Sequence, residues 1–542
     1  MYNIRPIHST GIGYGMVLIS GIVCIYYNII IAWTLYYLFK SFQRVLPWST
    51  CDNSWNTDAC ASRTRNESFI STNVTADRVL SGNITGYHSD LSWIATNITL
   101  PFKKKTPSEE FWQNHVLEIT DGIDDMGSIR LELLGCLALS WCLVFLCLIR
   151  GIRSSGKVVY VTATFPYLVL LILLIRGVTL PGAIEGIKFY VIPKWEKLLS
   201  LKVWGEAAMQ IFYSVGAAWG ALITMASYNK FNHNCYRDAI MVPILNCCTS
   251  IFAGFVIFSI IGFMAHETGS AIEDVITEGP GLVFVVYPAA VARMPISPLW
   301  AVLFFLMLFT IGLDSQAMTN EKCATREAAV HFGMFETMTS AFVDEFPRLL
   351  SKRKLLLTGL LCFAEFLLGI PCVMQGGIYY LQIMDWYSST FSLMILSLTE
   401  LMVIAWIYDK RLMTGILCSS RQFVLLFSMI NHTPVTYGSY IYPSWAVGLG
   451  WVFALCSIVP LPIVAVIQIV IGRGPPIQRI KGLVKPSALW GPALDPHRAI
   501  YRASLHGTDH QSVTEVIPNN KGLPGSNNEE MTPRVILLGC KE

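Results

Sequence analysis

The sequence predicts an all-α polytopic membrane protein, and three observations carry that prediction. Only 14% of the 542 residues are charged and 53% are apolar, whereas ordinary soluble domains hold roughly 25% charged residues. The mean hydropathy is +0.51. Several apolar runs reach the roughly 20 residues that a helix needs to cross a bilayer. A net charge of +3 is too small to point to nucleic acid. The fifteen cysteines lie mostly in apolar runs, where a reduced buried thiol is the default. No Cys–His zinc pattern, phosphate loop or nucleophile elbow stands out, so no enzyme is expected. No cleavable signal peptide is expected either, because the first apolar run is too long and no small-residue cleavage site follows it.

Ten spans are expected. The first is 11–39, without a charge. The next are 132–149, 158–176, 207–228, 239–265 and 295–316. Four more follow at 355–373, 384–408, 412–430 and 443–471, of which 412–430 is the weakest because Arg421 lies in its middle. Residues 41–129 form a long polar loop with four sequons, at Asn66, Asn73, Asn83 and Asn97. Four in one loop argue for the lumenal or extracellular side. Cys51 and Cys60 share that loop and could oxidise to a disulfide there. Counting spans from the loop puts 150–157, 229–238, 348–354 and 409–411 in the cytosol, where their Lys and Arg belong. The basic outer loop 177–206 is a mild exception, and Asn431-His-Thr falls outside as a fifth sequon. The chain divides into a cytosolic start at 1–10, a membrane domain at 11–471 and a flexible cytosolic tail at 472–542. Both termini are cytosolic.

Polar groups inside spans are functional suspects. Gln210 and Ser214 are four apart and share one helix face, and Asn246 and Ser250 repeat the pattern. Two amides and two hydroxyls offer donors without charge. If the two faces meet, they cradle a small anion such as chloride; helix–helix polar contact is the competing explanation. Gly216 and Gly220 loosen the same span, and transporters hold ions and substrate at such breaks. In Gly312-Leu-Asp-Ser-Gln316, Asp314 and its hydroxyl neighbour suit a hard cation or a structural pairing. Tyr26-Tyr-Asn28 puts phenols mid-span, to bond a carboxylate or simply to pack. Asp385, where the eighth span begins on the outer side, and Asp344 on the inner side are gate acids or water-facing groups. Glu400 is a buried acid of the same span as Asp385.

These clusters in this order resemble the sodium- and chloride-dependent neurotransmitter transporters. The resemblance rests on Gln210-Ile-Phe-Tyr-Ser214, Ser227-Tyr-Asn-Lys-Phe-Asn-His-Asn-Cys-Tyr236, Gly312-Leu-Asp-Ser-Gln316 and Asp344-Glu-Phe-Pro347. Cys51 and Cys60 bracketing Trp55-Asn also look like that family's outer loop. It covers about 11–471 and is strongest with the family's glycine transporters, through Tyr213–Tyr228, Thr436-Tyr-Gly-Ser-Tyr440 and Trp490-Gly-Pro.

The resemblance implies an inverted-repeat transporter fold of the neurotransmitter:sodium symporter type. It implies that Tyr27 bonds an amino-acid carboxylate, Tyr213 acts as a lid, and Ser214, Gly216, Trp219 and Ser315 complete the substrate site. A bulky Trp219 leaves room for little more than glycine. Sodium would be held by Ser214, Asn246, Ile311, Asp314 and Ser315, and chloride by Gln210, Ser214, Asn246 and Ser250. Asp385, Asp344 and Tyr228 would be gates. Na+ and Cl− would be co-transported with glycine or a small amino acid across the plasma membrane. A broader neutral and cationic amino-acid symporter and a non-transporting regulatory membrane subunit are the alternatives, and self-association is left open.

The sequence departs from the family pattern in three places. It starts at the equivalent of the third helix and lacks the first two, which in the family complete the sodium sites, the pocket and the gates. Residues 318–332 form an insertion that would interrupt the helix carrying Asp314. The loop near 409 is shortened. An incomplete form is the expectation.

Overall fold

The computed structural model describes residues 7–60, 105–149, 152–216, 218–227, 233–269, 271–275, 280–314, 330–403, 435–438, 440–472, 474–483 and 497. Residues Met1–Lys485 form one compact unit and Pro486–Glu542 another; every element below belongs to the first. The helices are α1 Ile7–Ser41, α2 Pro107–Glu110, α3 Leu131–Leu148, α4 Ile152–Val178 and α5 Ala183–Val191. Next come α6 Leu201–Val215, α7 Ala221–Ser227, α8 Cys235–Thr268, α9 Ile272–Val275, α10 Tyr287–Ala292 and α11 Ser297–Asp314. They continue with α12 Val330–Glu345, α13 Pro347–Leu350, α14 Lys354–Gly369, α15 Gly377–Tyr387 and α16 Leu393–Met402. The last are α17 Ser444–Ile458, α18 Pro460–Ile471 and α19 Pro476–Leu483. A hairpin of β1 Thr436–Tyr437 and β2 Tyr440–Ile441 pairs antiparallel, Tyr437 opposite Tyr440.

The 35 residues of α1 carry no acid, and their one strong base, Lys40, lies in the last turn, where a cation meets the carbonyl end of the helix. A helix that is apolar all round must be buried or lie in lipid. Here burial dominates: Ile19, Val23, Ile29, Ala32, Trp33 and Tyr37 are inaccessible to solvent. Helices α3, α11, α12, α17 and α18 pack around it. Among the described residues, four helices are long and apolar enough to cross a membrane, or up to six when each bent pair is counted as one span. The chain is a helical, multi-pass membrane protein.

Several boundaries differ from the sequence reading. The outer loop 177–206 is partly helical: α4 turns by 114° into α5 and the short turn that follows. Glycine makes the packing there possible, because a Cβ on Gly186 would stand 1.9 Å from the Phe258 carbonyl of α8. The span expected at 443–471 is two helices bent by 42°, since Pro460 brings no N–H to continue the first. The eighth span begins at Gly377 rather than 384, and its first turn is fixed to the loop before α3 by the Tyr379 hydroxyl, which donates to the Thr120 carbonyl at 2.8 Å. Asp385 therefore sits in the third turn of α15, half-buried, and not at the span's outer start. The tail starts with α19, whose Arg479 donates to the Ile469 carbonyl of α18 at 3.1 Å. The span 412–430 lies outside the described residues, as do the four loop sequons and Asn431.

The loop between α1 and α3 is anchored at its base. Cys51 and Cys60 form the disulfide. The Lys105 amide donates to the Ala59 carbonyl at 3.0 Å, so the chain leaves at Cys60 and returns beside it at Lys105. Trp48, Phe111 and Trp112 pack on Tyr37 of α1, and Trp112 stacks on Phe284 at 5.0 Å. Glu110 is fully buried. Its carboxylate accepts from the Asn56 side chain at 3.1 Å, the Thr57 amide at 3.0 Å and the Thr57 hydroxyl. Burial opposes its charge, but the Thr57 and Asn56 donors outweigh that and hold its pKa below the usual 4.5. A lowered folded pKa contributes stability that is complete above the unfolded value and lost as pH falls through the folded one. Glu110→Gln is expected to cost about 2 kcal/mol locally, the scale of charged hydrogen bonds, and to remove the acid dependence below about pH 4.5. Hydrogen exchange at the Thr57 amide measures both.

Candidate functional site

The break expected in the fourth span is present. Helix α6 stops at Val215, α7 starts at Ala221, and Gly216, Ala218 and Gly220 have φ of 70°, 63° and 79°. A left-handed φ is natural for glycine and uncommon for alanine, so the chain is committed here to a non-helical path. Backbone groups freed from a helix must find partners in a dry interior. One does so at once: the Ser20 hydroxyl of α1 donates to the Trp219 carbonyl at 2.6 Å. Gly220 lies so close to Met16 and Thr337 that a Cβ would meet them at 3.3 and 3.1 Å. The Thr337 and Thr224 hydroxyls are 2.8 Å apart, tying α7 to α12.

On the α6 side of the break the Ser214 hydroxyl donates to Asn246 Oδ1 of α8 at 2.9 Å. That leaves Asn246 Nδ2 buried without a hydrogen-bond partner among the described residues. A buried unpaired donor costs free energy unless a ligand meets it. The amide is neutral and donates only from this atom, so the position fits a small anion. The lid candidate Tyr213 packs edge-on against Trp219, ring centroids 5.1 Å apart, and Trp219 is buried.

The structure brings together Tyr213, Ser214, Gly216, Trp219 and Asn246, as the sequence reading expects. Gln210 and Ser250 are exposed, each one turn from the Ser214–Asn246 bond. Asp344 is exposed near the end of α12. Ile311 lies in the last turn of α11, followed there by Asp314, whose side chain is outside the described residues. Ser315 and Tyr228 are outside them altogether.

Two contacts lie beyond the sequence reading. The Tyr26 hydroxyl stands 3.5 Å from that of Tyr213. Asp385 lies within electrostatic reach of both phenols and within side-chain hydrogen-bonding reach of Tyr26. Tyr27 is half-buried, also near Tyr213. Ser20 was missed, although a hydroxyl in a long apolar run is the kind of group that should be asked for its partner. A hollow of about 280 Å³ under the outer loop is lined by Lys40, Gln43, Trp55 and His115 among others. None of its lining residues belongs to the break, so it is a separate feature.

Apolar helices packed around a polar break define a membrane transporter of the broken-helix kind. A match to the sodium:neurotransmitter symporter family runs over residues 1–419 and 411–471, and the chain belongs to that family. It is 45% identical over 542 residues to a sodium- and chloride-dependent glycine transporter 1 of Xenopus laevis, covering 96% of this chain and 81% of the relative. A sodium- and chloride-dependent glycine transporter 2 of the same frog is 44% identical over 513 residues. That match covers 90% of this chain but 63% of the relative, so the chain spans less than two thirds of its length. A sodium- and chloride-dependent neutral and basic amino acid transporter B(0+) of Mus musculus is 40% identical, over 95% of this chain and 82% of the relative.

Proposed function

We propose that the break is the solute site of a sodium- and chloride-coupled glycine symporter of the plasma membrane. The observation that carries this reading is the unpaired Asn246 Nδ2 beside the unwound turn. In this reading Asn246 with Ser214, Gln210 and Ser250 receives chloride. Ser214, Asn246, Ile311, Asp314 and Ser315 receive sodium. Glycine lies at the turn with Tyr27, Tyr213, Gly216, Trp219 and Ser315. Asp385, Asp344 and Tyr228 gate the two sides. A coupled ion works only through different affinities for the outward- and inward-open states, so the ions are part of the cargo and not resident cofactors. No enzymatic activity belongs to this reading. The loop 41–129 is extracellular and both termini are cytosolic, as the sequons and basic inner loops favour.

On the same reading α1 stands for the third helix of the family pattern, and the two helices before it are not among these residues. The test is radiolabelled glycine uptake by cells expressing the chain, alone and together with the first two helices of the frog glycine transporter 1. The expected result is a silent chain alone and uptake requiring both ions in the second arm. Surface-delivered chain without uptake in either arm overturns the reading.

The frog relatives favour glycine over the broader substrates in the mouse relative's name. The crowded Trp219 argues the same way. Trp219→Leu should let larger neutral amino acids compete for uptake, raising their apparent affinity about tenfold, as a few methylenes of pocket space allow. Unchanged competition by leucine or phenylalanine would count against a tight pocket.

A further inference from the structure

The unwound turn is tied to α1 on both of its sides. Before it, the Tyr213 hydroxyl meets that of Tyr26; after it, the Trp219 carbonyl receives the Ser20 hydroxyl. Ser20 and Tyr26 are six residues apart on one straight helix, about 9 Å along its axis. Tyr213 and Trp219 are likewise six apart, running the other way. Both anchoring residues of α1 are buried, Ser20 at 0% and Tyr26 at 1% exposure. Neither bond follows from the helix pattern, since each joins groups about two hundred positions apart.

The geometry points to Ser20 and Tyr26 as a two-point latch that holds the 216–220 turn open and aims the Tyr213 ring. They are positioning residues, acting through the turn and the lid and not as ligands. Tyr26 also stands beside Asp385, so the lid is held from the same place as the outer acid. The latch turns a locally irregular segment into a fixed site. Without it the turn is held by its left-handed residues and the α7–α12 contact.

This inference depends on the symport reading only for what the latch serves, and its test needs no transport. A reporter cysteine, Val215→Cys, is placed in the full chain, and its labelling by a membrane-impermeant methanethiosulfonate is timed on intact cells. The chain without the reporter gives the background from native cysteines. Tyr26→Phe keeps the ring and loses the hydroxyl; Ser20→Ala does the same for the second tie. Each is expected to speed labelling about fivefold or more. Tyr213→Phe should match Tyr26→Phe, with no further gain in the double variant, and Ser20→Thr should stay at the parent rate. Equal rates in Tyr26→Phe, Ser20→Ala and the parent overturn the latch. So does a rise in Ser20→Thr equal to that in Ser20→Ala. Surface delivery is scored separately, so a variant that fails to fold is replaced by its partner in the pair. Labelling changes without glycine uptake in any arm would remove the symport reading and leave the latch.

Discussion

In the chain supplied with the first two helices of the frog glycine transporter 1, Asn246→Ala should reduce ion-coupled glycine uptake by roughly 10- to 100-fold and raise the chloride concentration needed for half-maximal rate. The loss corresponds to one charge-assisted hydrogen bond of about 1.5–3 kcal/mol. The Asn246 side chain spends its oxygen on the Ser214 hydroxyl, and its buried nitrogen has no hydrogen-bond partner among the described residues. Removing the side chain therefore takes two things away: the donor that an anion would meet, and the acceptor that orients Ser214. Ser214→Ala removes one hydroxyl of the proposed chloride set but leaves the Asn246 amide donor in place, so it should be the milder variant toward chloride. Uptake is measured against chloride replaced by gluconate, with surface biotinylation to separate delivery from turnover. Equal loss in both variants with unchanged chloride dependence would show a packing role for Asn246.

Gly186→Val should prevent α5 from docking on α8 and leave the chain retained inside the cell. Gly182 and Gly186 of one element face Gly262 of the other, with a would-be Gly186 Cβ 1.9 Å from the Phe258 carbonyl and 2.8 Å from the Gly262 backbone. Flexible side chains could yield, but main chain cannot. The clash therefore exceeds ordinary overpacking of about 1–3 kcal/mol. Close backbone approach through small residues is a common means of joining helices in lipid. The readout is the fraction of chain acquiring surface biotin, with Gly135→Val of α3 as the control. A Cβ at Gly135 meets nothing within 4 Å, and that variant should reach the surface normally. Normal delivery of both would contradict the docking argument.

The fold was legible wherever a physical rule acts over a local stretch. Long uncharged runs marked the four long apolar helices, and Gly216 with Gly220 marked the break between α6 and α7. Ser214 and Asn246 were legible only as members of two polar faces that could meet; that they do meet comes from the packing of α6 on α8. The Tyr26–Tyr213 contact was not legible: two adjacent phenols on a helix point about 100° apart, and only the position of α6 decides which one the Tyr213 hydroxyl meets. The 114° turn after α4 was hidden because a basic, mixed stretch reads as loop when its partner surface on α8 is unknown. The start of α15 was misplaced for a similar reason: the glycines at 376 and 377 signal a turn, while the partner of its first turn, Thr120, lies far away in the chain.

Where the outer segment leaves at Cys60 and comes back at Lys105, the two strands of backbone already touch. The 44 residues from 61 to 104 thus begin and end at a single fixed point. Doubling the length of such an excursion adds only about 0.6 kcal/mol of closure cost. Sequence between those two points, its four sequons included, can be lengthened or shortened at little closure cost while Cys60 and Lys105 stay paired.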